Sequence, residues 1–186
     1  VLLDNPIGVA AGPHTQLAQN IISSWLYGAR YLELKTIQTL DELQVAKPCI
    51  DLYDEGYNCE WSQELKVSAS FREYFNAWIV IHILQHVLGF EGTSGMIFNM
   101  SVGYDFDGIM RENVQWFLDK MNDCSAELDE ARLLLHTVCP EAEAVEIPSR
   151  ISGSVTLSTM HGCPPSEIGK IARYLISERH LHTTIK

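Results

Sequence analysis

Basic residues are scarce in this chain: 13 Lys and Arg stand against 24 Asp and Glu, for a formal net charge of −11. That balance argues against nucleic acid and anionic membrane surfaces as partners, since both favour basic patches. Long apolar runs are missing too. The most apolar window, Ala77 to Leu88, is broken by His82, Gln85 and His86, which makes it too short and too polar to span a bilayer. No basic stretch precedes an apolar one near the start, so no secretion signal is expected in this piece. The cysteines number five, and no two have Cys-x-x-Cys spacing. This argues against a disulfide framework and against an iron–sulfur or zinc site held wholly inside the chain. Reduced thiols in a cytoplasmic protein are the expectation. Gly-x-Gly-x-x-Gly is absent, and Gly89, Gly92 and Gly95 lack the Gly-Lys-Ser/Thr ending of a phosphate loop.

What the chain does have is alternation. Ile7 to Ala11 reads as a first strand. Thr15 can cap a helix whose apolar face carries Leu17, Ile21, Ile22 and Leu26, with Gly28 as its terminator. Arg30 to Lys35 reads as a second strand. Thr36 to about Gln63 forms a long connection rich in Tyr53, Tyr57 and Trp61, too aromatic for disorder. A helix over Phe71 to Leu88 presents Phe71, Tyr74, Phe75, Trp78, Ile79 and His82 on one face. Met96 to Met100 makes a third strand, and Asp107 to about Leu135 is mostly helical. Ser154 to Ser158 makes a fourth strand, and a helix starts at Ser166 with Ile168, Ile171, Ala172 and Leu175 on its inner face. Thr183 to Lys186 opens a fifth strand.

Strands alternating with helices imply a parallel sheet. The expected fold class is α/β, a partial (β/α) barrel holding about five of the eight strands that close one. The whole of 1–186 is then the N-terminal portion of a single barrel domain. An open doubly wound sheet is the structural alternative. A partial barrel leaves strand edges open, so self-association through them is expected.

Candidate chemistry gathers after the strands. Ala10, Ala11 and Gly12 lie at the end of the first strand, where small residues let a flat ligand approach the backbone. Lys35 ends the second strand, Lys186 stands at the start of the fifth, and both can offer ammonium groups to an electron-rich ring edge. In Ser158-Thr159-Met160-His161-Gly162-Cys163-Pro164-Pro165, Cys163 is a candidate proton donor or acceptor. Its place just before a helix would favour the thiolate, and His161 can tune it or compete for the role. The bland alternative is a proline-built turn with an ordinary thiol. Asn58 and Glu60 offer an amide and a carboxylate, or else a turn and a solvated face. His82 and His86 share a helix face but lack the glutamate of a metalloprotease motif, so packing is the expectation there.

Taken together these motifs resemble the dihydroorotate and dihydropyrimidine dehydrogenase family of FMN-binding β/α barrels. Asn5-Pro6-Ile7-Gly8-Val9-Ala10-Ala11-Gly12 is similar to the family's first-strand flavin contact, and Leu34-Lys35-Thr36 to its second-strand Lys-Thr. Asn58-Cys59-Glu60 resembles its substrate loop. Asn99-Met100-Ser101 occupies the third-strand end, Gly162-Cys163-Pro164 resembles the loop of the catalytic cysteine, and Ile185-Lys186 the next strand's lysine. Two runs, Ala10 to Asn20 and Ser158 to Pro165, resemble more closely a subgroup of large iron–sulfur flavoproteins described as selenate reductase subunits.

The resemblance implies FMN held by Ala10, Ala11, Gly12, Lys35, Asn99 and Lys186. Cys163 and Lys35 would be catalytic, and Asn58, Glu60 and His161 would contact a small-molecule substrate. Iron–sulfur clusters, and with them FAD or NADPH, would lie in other domains or subunits of a multidomain redox enzyme. The isolated piece is expected to be inactive. One position departs from the pattern. The dehydrogenases carry an asparagine where this chain has Met160, and a thioether cannot supply an amide's paired donor and acceptor. A pyrimidine dehydrogenase and a non-catalytic scaffold that docks redox partners are the two alternatives.

Overall fold

The computed structural model describes residues 3–37, 39, 50–51, 57–58, 65–90 and 95–186. Five parallel strands form its sheet: β1 (Gly8–Val9), β2 (Tyr31–Glu33), β5 (Ile97–Val102), β6 (Ser154–Leu157) and β7 (His182–Ile185). They pair in that order, so position in the sheet follows position in the chain. A doubly wound sheet reverses its order at a switch point. This sheet has no reversal, and the barrel expectation prevails over its alternative. Two further short strands, β3 (Ile50–Asp51) and β4 (Tyr57–Asn58), make an antiparallel hairpin within the long connection.

Helices α1 (Ala18–Leu26), α2 (Val67–Val87), α3 (Phe106–Ile109), α4 (Glu112–Asn122), α5 (Ser125–Val138) and α6 (Ile168–Ser177) join the strands. The expected face of α2 holds in full: Phe71, Tyr74, Phe75, Trp78, Ile79 and His82 are all buried. Trp78 meets Phe98 of β5 edge-on, with ring centroids 5.1 Å apart. Gly28 ends α1 at φ 104°, a conformation that costs a glycine little. Among the described residues, no helix is long and apolar enough to cross a membrane.

Three local expectations need correction. On α1 the core takes Ile21 and Trp25, while Leu26 is 55% exposed. The larger ring wins the inward position and turns the helix by about one residue. Thr15 lies in a 3-10 turn over Pro13–Gln16, and Leu17 occupies the cap position of α1. Helix α6 starts at Ile168 with Glu167 as its cap residue, not at Ser166, because the chain is still turning after Pro164-Pro165. The helical stretch before β6 divides into α3, α4 and α5. Asp105 caps α3 by accepting from the Gly108 N–H at 2.8 Å.

Strand alternation sorts the side chains into two layers. Leu32, Phe98, Met100, Val155 and Leu157 are buried in the hydrophobic core shared with the helices. The alternate positions carry Glu33, Asn99, Ser101, Thr156 and Thr184, and register pairs Glu33 with Asn99, Ser101 with Thr156, and Thr156 with Thr184. A TIM-barrel interior is ordinarily filled by Val, Ile and Leu. Here the corresponding layer is polar, and polar groups held inside a fold need partners.

Candidate active site

The polar layer is wired together at Glu33. Its Oε2 accepts from the Ala11 N–H at 3.0 Å and from the Lys186 ammonium at 3.0 Å. Thr156 donates to the same carboxylate. The Thr156 Oγ1 in turn accepts from the Asn99 amide at 2.8 Å. Burial opposes ionisation of Glu33, but the Ala11, Lys186 and Thr156 contacts outweigh it, and the carboxyl lies below its ordinary range. Glu33 of β2 thus joins Thr156 of β6 to the residues just beyond β1 and β7, and β5 is linked to them through Asn99 and Thr156.

Directly beyond the strand ends lies a cavity of about 100 Å³. Ala11, Lys35, Thr36, Ser101, Ser158, Met160, His161 and Lys186 line it. The lining comes from the C-terminal ends of all five sheet strands, which is where barrel enzymes build their sites. Lys35 is almost fully buried, and Tyr74 donates to its backbone carbonyl at 3.1 Å. Thr36 and Ser101 share a hydrogen bond of 2.8 Å between their hydroxyls. The turn after β6 is pinned to the end of β7: Thr159 donates through its N–H (2.9 Å) and its hydroxyl (2.8 Å) to the Lys186 carbonyl. Ser158 Oγ lies 2.5 Å from His161 Nδ1.

The sequence-expected residues divide accordingly. Ala11, Lys35, His161 and Lys186 come together around the cavity. Ala10 and Gly12 flank Ala11 on the same segment, where the Gly12 N–H donates to Thr15 Oγ1 at 3.1 Å. Asn99 is buried in β5, with its amide spent on Thr156 and on the Met100 carbonyl rather than on the cavity lining. Asn58 ends β4, and Glu60 falls outside the described residues.

Cys163 is buried and is not among the lining residues; its Sγ lies 3.8 Å from the Pro164 carbonyl. Burial first, then the nearby Glu167 and Asp105 carboxylates, push its thiol up from the ordinary value. The thiolate-favouring helix start expected at this position is therefore absent, because α6 begins beyond two prolines and an acidic cap. His82 is a core residue, with Nδ1–H donating to the Trp78 carbonyl at 2.8 Å. Burial lowers its pKa despite that bond.

Sequence reasoning missed Glu33, Thr156 and Ser158. A signal for Glu33 existed: an ionisable residue between Leu32 and Leu34 in a parallel strand has to find a buried partner. Among the described residues, no cluster of three or more His, Cys, Asp or Glu could hold a metal ion.

Parallel strands in chain order with a polar cavity at their C-terminal ends define a β/α-barrel segment. The chain belongs to the family described as "Oxidoreductase YgfK, N-terminal TIM-barrel domain", whose model matches residues 2–186. It is 45% identical over 201 residues to "Putative oxidoreductase YgfK" of Escherichia coli (strain K12), and the same identity holds for the protein of that name from Escherichia coli O157:H7. The match takes in 97% of this chain and 20% of each relative, so the chain spans about one fifth of the length of the curated relatives it matches. No solved structure matches it significantly.

Proposed function

We propose that this barrel segment forms one wall of an FMN site in a multidomain oxidoreductase. A small organic substrate would meet the flavin here, and electrons would pass to or from iron–sulfur centres in other parts of the longer protein. The observation that carries the reading is the convergence of Ala11, Lys35 and Lys186 on one cavity at the strand ends. The residues present suit a flavin ring. The short Ala10-Ala11-Gly12 segment allows close approach of a flat ligand, and two lysines offer positive charge to its electron-rich edge. At about 100 Å³ the cavity is smaller than the ~300–1,000 Å³ of a small-molecule site, which suits one wall of a larger pocket.

A bound flavin would supply two-electron hydride chemistry. The chain's own residues would prepare the place for it. Glu33 fixes the Ala11 backbone and aims the Lys186 ammonium. Tyr74 steadies the backbone at Lys35. Met160 in the lining favours a substrate that does not need an amide partner at that point, and so weighs against a pyrimidine.

The test is the flavin content of the full-length natural protein, by anaerobic absorbance and mass spectrometry of the released cofactor, beside a Lys35→Ala, Lys186→Ala variant. Stoichiometric FMN that is lost in the double variant is the expected result. No FMN, or flavin indifferent to both lysines, overturns the reading and leaves the barrel as a scaffold that docks redox partners.

A further inference from the structure

We propose that His161, held by Ser158, is the residue that exchanges a proton with the ligand of this cavity. The inference rests on the flavin-site reading above and adds the proton's route. His161 lines the cavity and Cys163 does not. The imidazole is oriented from two directions. Its Nδ1 is 2.5 Å from Ser158 Oγ, and its backbone N–H reaches the Ser158 carbonyl at 3.3 Å. Ser158 is itself fixed to the sheet, its N–H donating to the Val102 carbonyl at 2.8 Å.

Space for the ring is built into the neighbouring strand end. A Cβ at Gly103 would stand 2.5 Å from the His161 Cβ and 2.9 Å from the Ser158 carbonyl oxygen. Any other residue at position 103 would push this turn away. Imidazole is the side chain suited to taking and returning a proton near neutrality. The Cys163 thiol, buried and beside two carboxylates, is poorly placed to do so.

The step balances as follows. In oxidation of the substrate, a carbon–hydrogen bond would break, and a bound flavin would supply the acceptor for its hydride and both electrons. A proton on the adjacent substrate atom goes to the His161 imidazole. The substrate gains a double bond, and the imidazolium releases its proton to water through the half-exposed turn. Reduction of a substrate runs the same transfers in reverse. Among the described residues, the other ionisable groups facing the cavity are Lys35, just after β2, and Lys186, just after β7, with Glu33 behind Lys186. Glu167 and Asp105 lie on the Cys163 side of the turn.

The experiment uses the full-length protein with its bound flavin, titrated anaerobically with dithionite and redox dyes across pH while the flavin absorbance is followed. An imidazole in the same cavity takes up a proton as electrons enter, so the midpoint potential changes slope with pH near neutrality. The expected result is that His161→Gln loses this break, Ser158→Ala moves it, and Cys163→Ala keeps it. A break that persists in His161→Gln, a break that vanishes in Cys163→Ala, or a wild-type line without one overturns the proposal while the flavin site stands. Should His161→Gln fail to retain flavin, Ser158→Ala decides: a moved break supports the proposal and an unmoved one overturns it. Absence of flavin from the wild type overturns the underlying reading, and this inference with it.

Discussion

Replacing Glu33 with alanine removes the acceptor shared by the Ala11 N–H and the Lys186 ammonium. Thr156 loses the same acceptor, and the losses at Ala11 and Lys186 differ in size. The Ala11 amide is only part-buried, so orphaning it costs about 1.5 kcal/mol, within the usual range for an unsatisfied donor. The Lys186 side chain is 54% exposed and is re-solvated when released, so its share is at most about 1 kcal/mol. The amide is therefore the place to look. Hydrogen exchange of a peptide spanning residues 8–16, followed by mass spectrometry on the full-length protein, reads it directly. An opening made easier by about 1.5 kcal/mol speeds exchange roughly tenfold. Glu33→Gln keeps a carbonyl acceptor and should cost only a few-fold.

The charge adds a pH signature. The folded-state pKa of Glu33 lies below that of the unfolded chain. Its contribution is therefore present above the ordinary glutamate range and is lost as pH falls through the folded value. After correction for intrinsic exchange rates, protection of Ala11 in the wild type should persist through the ordinary carboxyl range and fail only below it. Unchanged exchange in Glu33→Ala would refute the assignment of this carboxylate as the organising group of the site.

Two more expectations concern the scaffold. Trp25→Ala should cost about 3–5 kcal/mol as a large core truncation, and Leu26→Ala less than about 0.5 kcal/mol. Exchange rates of α1 peptides in the two variants check this, and similar effects at both positions would contradict the burial. His82 is held neutral by burial, whereas the unfolded chain binds a proton below a pH of about 6.5. Stability of α2 should therefore decline as pH falls below that point towards the folded pKa. His82→Leu should flatten the decline when α2 exchange is followed over the same range.

The order of the sheet was legible because each strand candidate was separated from the next by a helix-length segment, which leaves parallel pairing as the simple solution. The α2 face was legible because a long run of large apolar residues at helical spacing fixes the rotation. On α1 the choice between Trp25 and Leu26 was not, since adjacent apolar residues let the period fit either rotation and packing decides. The start of α6 was obscured because Ser166 has the right side chain for a cap, while Pro164-Pro165 keeps the backbone turning past it. In the site, Ala11 and Lys35 stood out at strand ends, His161 in the loop after the fourth strand, and Lys186 on the fifth strand. Glu33 did not, because its partners lie 22 and 153 residues away and no local pattern carries a contact of that range.

A sheet whose spatial order equals its chain order can be built in the direction of synthesis. Each strand, as it leaves the ribosome, finds its neighbour already present and waiting. The Glu33–Lys186 contact breaks that locality, because it joins the second sheet strand to the residue that follows the fifth. A nascent chain therefore holds the Glu33 carboxylate first on the Ala11 amide, then on Thr156, and gains the opposing charge only when Lys186 emerges. Among the described contacts of Glu33, the ion pair with Lys186 is thus the last whose residues are synthesised, a clasp closed only after the strands on either side of it have emerged.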